Sequence, residues 1–242
     1  SVLLSVEIKK ILIIIKPHQI ENFKKILGNG SHLGINISYK VQKKPSGIPE
    51  AFKLGREFIK NNKVCLILGD NFFYNLKLNI NEIMKKYKNL IILKKVKNPE
   101  KYGVVKILNN KIQKIIEKPK KKLSNLAVTG IYFFDKYAYK NTKLLKPSKR
   151  KETEIVDLIK IYLKKNNLNF KTINNTEWSD VGTIDDFNKI SNFIKLKEIS
   201  NKKKIGCLEE IVLKNKWINK AQVKKNINFY GECEYSNYLK KI

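Results

Sequence analysis

Apolar residues recur along this chain in two rhythms. Short, mostly apolar runs at 11–15, 64–68, 90–96 and 127–134 alternate with stretches at 19–27, 80–87 and 152–164 where apolar residues return every third or fourth position. The runs suit strands buried in a sheet, and the longer rhythm suits helices with one buried face. Their alternation predicts an α/β fold, with a mixed, mostly parallel sheet flanked by helices. The expected centre is the run at 64–71, an apolar strand buried on both faces that ends abruptly in Gly69, Asp70 and Asn71.

Around it the elements follow in order. Residues 1–10 read as the tail of a helix, and 19–27 as a helix closed by Gly28 at its C-terminus. Residues 35–42 alternate as a strand would, and Pro49 suits the first turn of a helix running to about residue 61. Asn109 and Asn110 mark a hairpin turn, and Asp180 falls in a tight turn at 178–183. Thr183 with Asp186 caps a helix carrying Phe187, Ile190 and Ile194. A lysine-rich linker at 200–204 divides an α/β domain, 1–204, from a small helical appendage, 205–242.

Composition narrows the classes. Among 242 residues the net charge is +30, which invites a nucleic-acid partner. Yet of the 51 basic residues only Arg56 and Arg150 are arginine, and the lysines are spread over almost every segment. Nucleic-acid readers cluster their charge and favour the planar guanidinium, so a solvated surface is the better reading. No apolar run is long enough to cross a bilayer, so no membrane is expected. Cys65, Cys207 and Cys233 lie far apart with no C-x-x-C pair, in keeping with a reduced, cytoplasmic protein.

Several residues could carry chemistry, each with a bland alternative. Asp70, at the carboxyl end of a strand, could hold a hard cation such as Mg²⁺, or merely turn the chain. Gln42 offers paired donor and acceptor to a nucleobase edge, and Gly47 lets backbone approach a base, although both also suit a turn. Glu117 beside Lys118 could bind a sugar hydroxyl and a phosphate together, or form a surface ion pair. Thr129-Gly130 interrupts a buried strand, opening room for a ligand or marking a bulge. Asp180 is a second carboxylate in a turn.

The order of these pieces resembles the sugar-phosphate nucleotidyltransferase family, in its thymidylyl-transferring branch. Carrying it are GNGSHLGINISYKVQ with Pro45 and Gly47, LGDNFFY at 68–74, PEKYGVV at 99–105, EKP at 117–119, SNLAVTGIYFFD at 124–135, LKPSKRKETEIVD at 145–157, WSDVGT at 178–183 and CLEEIVLKNKWIN at 207–219. The resemblance covers the whole chain and implies a Rossmann-like fold of the nucleotide-diphospho-sugar transferase type. It implies that Gln42 and Gly47 contact the base, and that Asp70 and Asp180 are catalytic and bind Mg²⁺. It likewise implies that Tyr102, Gly103, Glu117 and Thr129 meet the sugar, and that Lys118 and Arg150 hold its phosphate. The implied partners are dTTP and glucose 1-phosphate, yielding dTDP-glucose and pyrophosphate, in a homo-oligomer.

One departure stands out. The family's glycine-rich G-G-x-G-T-R-L loop and its following lysine have no counterpart among these residues. The missing unit amounts to ~30–40 residues, one strand-loop-helix piece. The expectation is therefore a truncated chain without its first strand, catalytically dead by itself and poorly stable. Lys151 also stands where the family has glycine after the arginine, and Asn75 and Leu76 depart from it near its second, regulatory nucleotide site. Alternatives are a UTP- or CTP-using transferase, a non-catalytic nucleotide-sugar-binding relative, and a basic nucleic-acid binder.

Overall fold

The computed structural model describes residues 1–242, which form two compact units, 44–186 and the two ends together, 1–43 with 187–242. In the terminal unit, β1 (Lys10–Ile15) pairs in parallel with β2 (Asn36–Val41), joined through the helix Ile20–Leu27. Gly28 closes that helix at φ 51, its N–H reaching the Lys24 carbonyl at 2.8 Å. Leu33, Ile35 and Ile37 form one core with Leu4 and with Val212 of the helix Leu208–Lys214. Asn215 Nδ2 adds a bond to the Leu4 carbonyl at 3.0 Å. This shared core is why the contacts do not separate at 204/205: the first strands and the last helices bury each other's apolar faces. The helix Ile184–Asn201 also continues into the stretch expected as linker.

The central unit is built on β3 (Val64–Ile67), β4 (Asn71–Tyr74), β5 (Leu90–Lys95), β6 (Gly103–Leu108), β7 (Lys111–Glu117), β8 (Leu126–Phe134), β9 (Asn169–Thr172) and β10 (Glu177–Asp180). Its main sheet runs β7-β6-β8-β5-β9, with β3 also pairing with β8, and β4 pairs separately with β10. The α/β class and the mixed sheet agree with the sequence reading, but the sheet is not mostly parallel. Only β5 and β9 run parallel; β3/β8, β5/β8, β6/β7 and β6/β8 are antiparallel. The β6/β7 turn shows one cause. Asn109 and Asn110 both take positive φ, 50 and 55, the two-residue geometry that joins antiparallel neighbours.

The organising strand also differs from expectation. The strand β3 is only half-buried, whereas eight of the nine residues of β8 are buried. The length of β8 lets it serve β5 along one edge, and β6 and β3 in succession along the other. Phe134 of β8 sits among the rings of Phe52, Tyr132 and Tyr162, with centroids at 5.4, 6.2 and 5.2 Å. Tyr162 comes from the helix Ile155–Lys164, whose Ile155, Val156, Leu158 and Ile159 face the same core. Phe134→Ala is expected to lower stability by about 3–5 kcal/mol, read from urea denaturation. A loss under about 1 kcal/mol would place the core elsewhere.

Two smaller boundaries move for local reasons. The helix expected over 49–61 breaks at Gly55 into Glu50–Leu54 and Arg56–Ile59. The helix expected from 152 starts at Ile155, because Glu154 is extended at φ −96, ψ 138 and the residues before it form a loop. No helix is long and apolar enough to cross a membrane.

Candidate functional site

The two carboxylates expected at the site are brought together by the β4/β10 pair. Asp70 ends the turn that leads into β4, and Asp180 is the last residue of β10 rather than part of a turn. Antiparallel pairing sets the start of one strand against the end of the other, so Asn71 faces Asp180. Val181 N–H donates to the Asp70 carbonyl at 2.9 Å, which closes this end. At the far end, Asn75 Nδ2 donates to the Asn175 carbonyl and Thr176 Oγ1 to the Asn75 carbonyl, both at 3.3 Å.

Asp180 is pushed up from its ordinary value. Burial is the main cause; the negative charges of Asp70 and Asp186 add to it, and Lys118 opposes them. Two hard oxygen donors that repel each other suit a divalent cation, whose remaining positions water and substrate phosphate would fill. The donor set therefore fits Mg²⁺.

A second group lies along β6 and β7. Gly103 pairs with Glu117, and a Cβ on Gly103 would come within 2.8 Å of Val156 Cγ2 and 3.3 Å of Glu117 Oε2. Glycine here leaves room for the Glu117 carboxylate. Lys118 follows at φ 43, a left-handed conformation that costs a lysine about 1–2 kcal/mol and is held by its N–H bond to the Tyr102 carbonyl at 2.9 Å. The Tyr102 ring packs on Trp178 with centroids 4.9 Å apart. Burial of Tyr102, then the charges of Asp180, Asp186 and Glu100, push its hydroxyl up.

Glu117 also titrates high, first through burial, then through Glu154; Lys118 and Arg150 pull it back, and Asp157 adds a smaller push upward. A carboxylate whose folded pKa is raised stabilises the fold in its protonated form. That contribution is complete below the unfolded pKa and is lost as pH rises through the folded one. Glu117→Gln should therefore raise the melting temperature at about pH 8 and leave it unchanged at about pH 4. Equal shifts at both pH values would show that charge is not the cause.

Arg150 lies in an exposed loop. Its Nη2 donates to both oxygens of Glu154, at 2.9 and 3.0 Å, and Glu154 also accepts from Ser148 Oγ at 2.8 Å. Lys151 takes φ 61, the geometry that explains a glycine preference at this position. Thr153, two residues on, donates both its N–H and its Oγ1 to the Ser46 carbonyl, each at 2.9 Å. Gly47, at φ 100, lies against Thr153 so closely that a Cβ would stand 2.0 Å from its carbonyl oxygen.

Asp70, Asp180, Tyr102, Glu117, Lys118 and Arg150 thus form one electrostatically connected group in the central unit, with Gly103 paired to Glu117 beside it. The buried Tyr132 hydroxyl is pushed up first by burial, then by Glu117, Asp70 and Asp180 together. Gly47 belongs to the same unit through Thr153, whereas Gln42 follows β2 in the terminal unit. Thr129 is fully buried, and its hydroxyl is committed to the Ile92 carbonyl at 3.1 Å. Three further residues take part that the motif reading assigned no role: Asn71, Trp178 and Glu154. Only their adjacency to Asp70, Asp180 and Arg150 in the quoted motifs signalled them.

The model of the family described as nucleotidyl transferase matches residues 1–197. The chain belongs to that family. It is 37% identical over 249 aligned positions to glucose-1-phosphate thymidylyltransferase of Neisseria meningitidis serogroup A, covering 100% of this chain and 86% of that protein. The protein of the same name from Mycolicibacterium smegmatis is 34% identical, with 100% and 85% covered. Among solved structures, a Bacillus anthracis protein described as a glucose-1-phosphate thymidylyltransferase, in complex with a sucrose, matches with a TM-score of 0.73 at 35% identity, over 79% of this chain and 78% of that one. A UDP-glucose pyrophosphorylase complexed with UDP-glucose shares the fold, with a TM-score of 0.67 at 21% identity over 80% and 83%.

Proposed function

We propose that this nucleotidyltransferase joins dTTP and glucose 1-phosphate to give dTDP-glucose and pyrophosphate, with Mg²⁺ held by Asp70 and Asp180. The observation carrying this reading is the convergence of those carboxylates with Glu117, Lys118 and Arg150, in a chain 37% identical to a protein of that activity. A phosphate oxygen of the sugar phosphate attacks the α-phosphorus of dTTP, and the bond to the β-phosphate oxygen breaks as pyrophosphate leaves. Such transfer depends on positioning and charge neutralisation.

Each residue has a part in that. Lys118, fixed in its left-handed turn, and Arg150 hold the attacking phosphate, the guanidinium leaving Glu154 for a better-charged bidentate partner. Glu117 accepts from sugar hydroxyls, and Tyr102 with Trp178 forms an aromatic wall beside the sugar. Gly47 meets the base. When bound, Mg²⁺ supplies charge neutralisation to the phosphates. Thr129 serves the sugar site only through backbone, since its hydroxyl is already used.

The test is pyrophosphate release with Mg²⁺, dTTP and glucose 1-phosphate, with UTP run beside it. It is made on the chain as it stands and on the chain preceded by a relative's G-G-x-G-T-R-L loop. Release favouring dTTP supports the reading; release favouring UTP corrects the base, and none in either form refutes it. A homo-oligomer is part of the proposal. The helix Ile184–Asn201 buries no residue and leaves Phe187, Leu196 and Ile199 62–67% exposed, a face that a second copy would cover, and light scattering decides it.

A further inference from the structure

We propose that Asn71 is a positioning residue, whose single carboxamide, seated in the notch left by Gly130, fixes the Asp70 carboxylate and the Trp178 indole together. Its Oδ1 accepts from Gly130 N–H at 3.0 Å and from Trp178 Nε1 at 2.7 Å. Its Nδ2 donates to Asp70 Oδ1 at 2.9 Å. Both lone pairs of the oxygen face N–H groups, and the nitrogen faces a carboxylate, so the amide has one workable orientation.

The backbone is shaped to receive it. Between β5 and β8 the pairing passes from Ile91 with Tyr132 to Leu93 with Val128, so the residues 129–131 bulge opposite Ile92. The bulge turns the Gly130 N–H toward Asn71, while the Gly130 carbonyl accepts from Leu68 N–H at 2.9 Å. A Cβ on Gly130 would stand 2.4–2.8 Å from Oδ1, Cγ and Nδ2 of Asn71, so only glycine admits the amide. Through Trp178 the arrangement reaches the Tyr102 ring, and through Tyr102 the backbone of Lys118.

No neighbouring residue type does the same work. Alanine drops all three bonds, and aspartate keeps both acceptor bonds but sets a second carboxylate against Asp70. The inference rests on the reading of Asp70 as the cation-holding carboxylate. Its consequence is that cation affinity and the indole's environment depend on one side chain that need touch neither substrate nor metal.

The sequence holds two tryptophans, so Trp217→Phe leaves Trp178 as the sole indole reporter in the full chain. In that background Asn71→Ala is expected to shift Trp178 emission and to weaken Mg²⁺ binding about 10- to 100-fold, read by titration of that emission without substrate. Asn71→Asp should keep the emission of the parent, since both acceptor bonds remain, and Gly130→Ala should reproduce Asn71→Ala. If Asn71→Ala does not fold, by circular dichroism, Gly130→Ala with Asn71→Asp carries the same comparison. Unchanged emission or unchanged Mg²⁺ affinity in a folded Asn71→Ala or Gly130→Ala protein overturns the proposal. Absence of Mg²⁺ binding in the parent refutes the cation reading instead, and the emission comparison still judges Asn71.

Discussion

In the chain preceded by a relative's G-G-x-G-T-R-L loop, Asp180→Asn is expected to lower kcat/KM for dTDP-glucose formation by on the order of 10²–10³-fold, the several kcal/mol that metal-assisted charge neutralisation supplies. The substitution keeps the size and pairing of β10 but removes one of two anionic oxygen donors. Asp70→Asn should do the same, and the double variant should be little worse than either, because both act on one cation. Stability should move the other way. Asp180 is pushed up from its ordinary value by burial and by Asp70, so its charged form works against the fold near neutral pH and its neutral replacement does not. Asp180→Asn should melt at or above the parent's temperature at about pH 7, and at the parent's temperature at about pH 3, below both pKa values. Full activity would remove Asp180 from the site, and a lowered melting temperature would make its role structural.

Gly47→Ala carries the second large effect. At φ 100 an alanine is strained, and its methyl carbon would stand 2.0 Å from the Thr153 carbonyl oxygen and 2.8 Å from the Thr153 nitrogen. The loops at 44–49 and 148–154 must then part, breaking the two Thr153 bonds to Ser46. A loss of about 2–4 kcal/mol is expected from strain and overpacking together, read from the urea midpoint. Because Arg150 shares the displaced loop, KM for glucose 1-phosphate should rise along with that for dTTP in the chain carrying a relative's glycine-rich loop. Thr153→Ser keeps both donors and should behave as the parent. A Gly47→Ala protein of parental stability whose only defect is in dTTP binding would show that Gly47 acts on the base alone.

Much of the candidate site was legible because the chemistry proposed for it lies in short local patterns. Gly69-Asp70-Asn71 announced the end of a strand before a carboxylate, and the Thr183–Asp186 cap appears as expected, with Thr183 Oγ1 accepting from Asp186 N–H at 3.1 Å. Gly28 and the Asn109-Asn110 hairpin are likewise choices made within a few residues, where backbone conformation and side-chain type are coupled directly. Thr129-Gly130 was legible only in part for the same reason. The dipeptide Thr129-Gly130 marks an irregularity, but only the bulge against Ile92 shows that the hydroxyl is spent and that the glycine serves Asn71.

The α/β class, most of the elements and the family could be read along the chain, and the motifs named the carboxylates and cations proposed for the site. These follow from side-chain periodicity, turn chemistry and motif order, all of which are written along the chain. The folded chain was needed to show that β8 rather than β3 organises the sheet, that most strand pairs are antiparallel, and that the two ends of the chain share one core. It alone joined Gly47 to Thr153 and Asn71 to both Asp70 and Trp178. Those outcomes depend on strand register and on contacts between residues up to 211 positions apart, which a repeating local pattern does not encode.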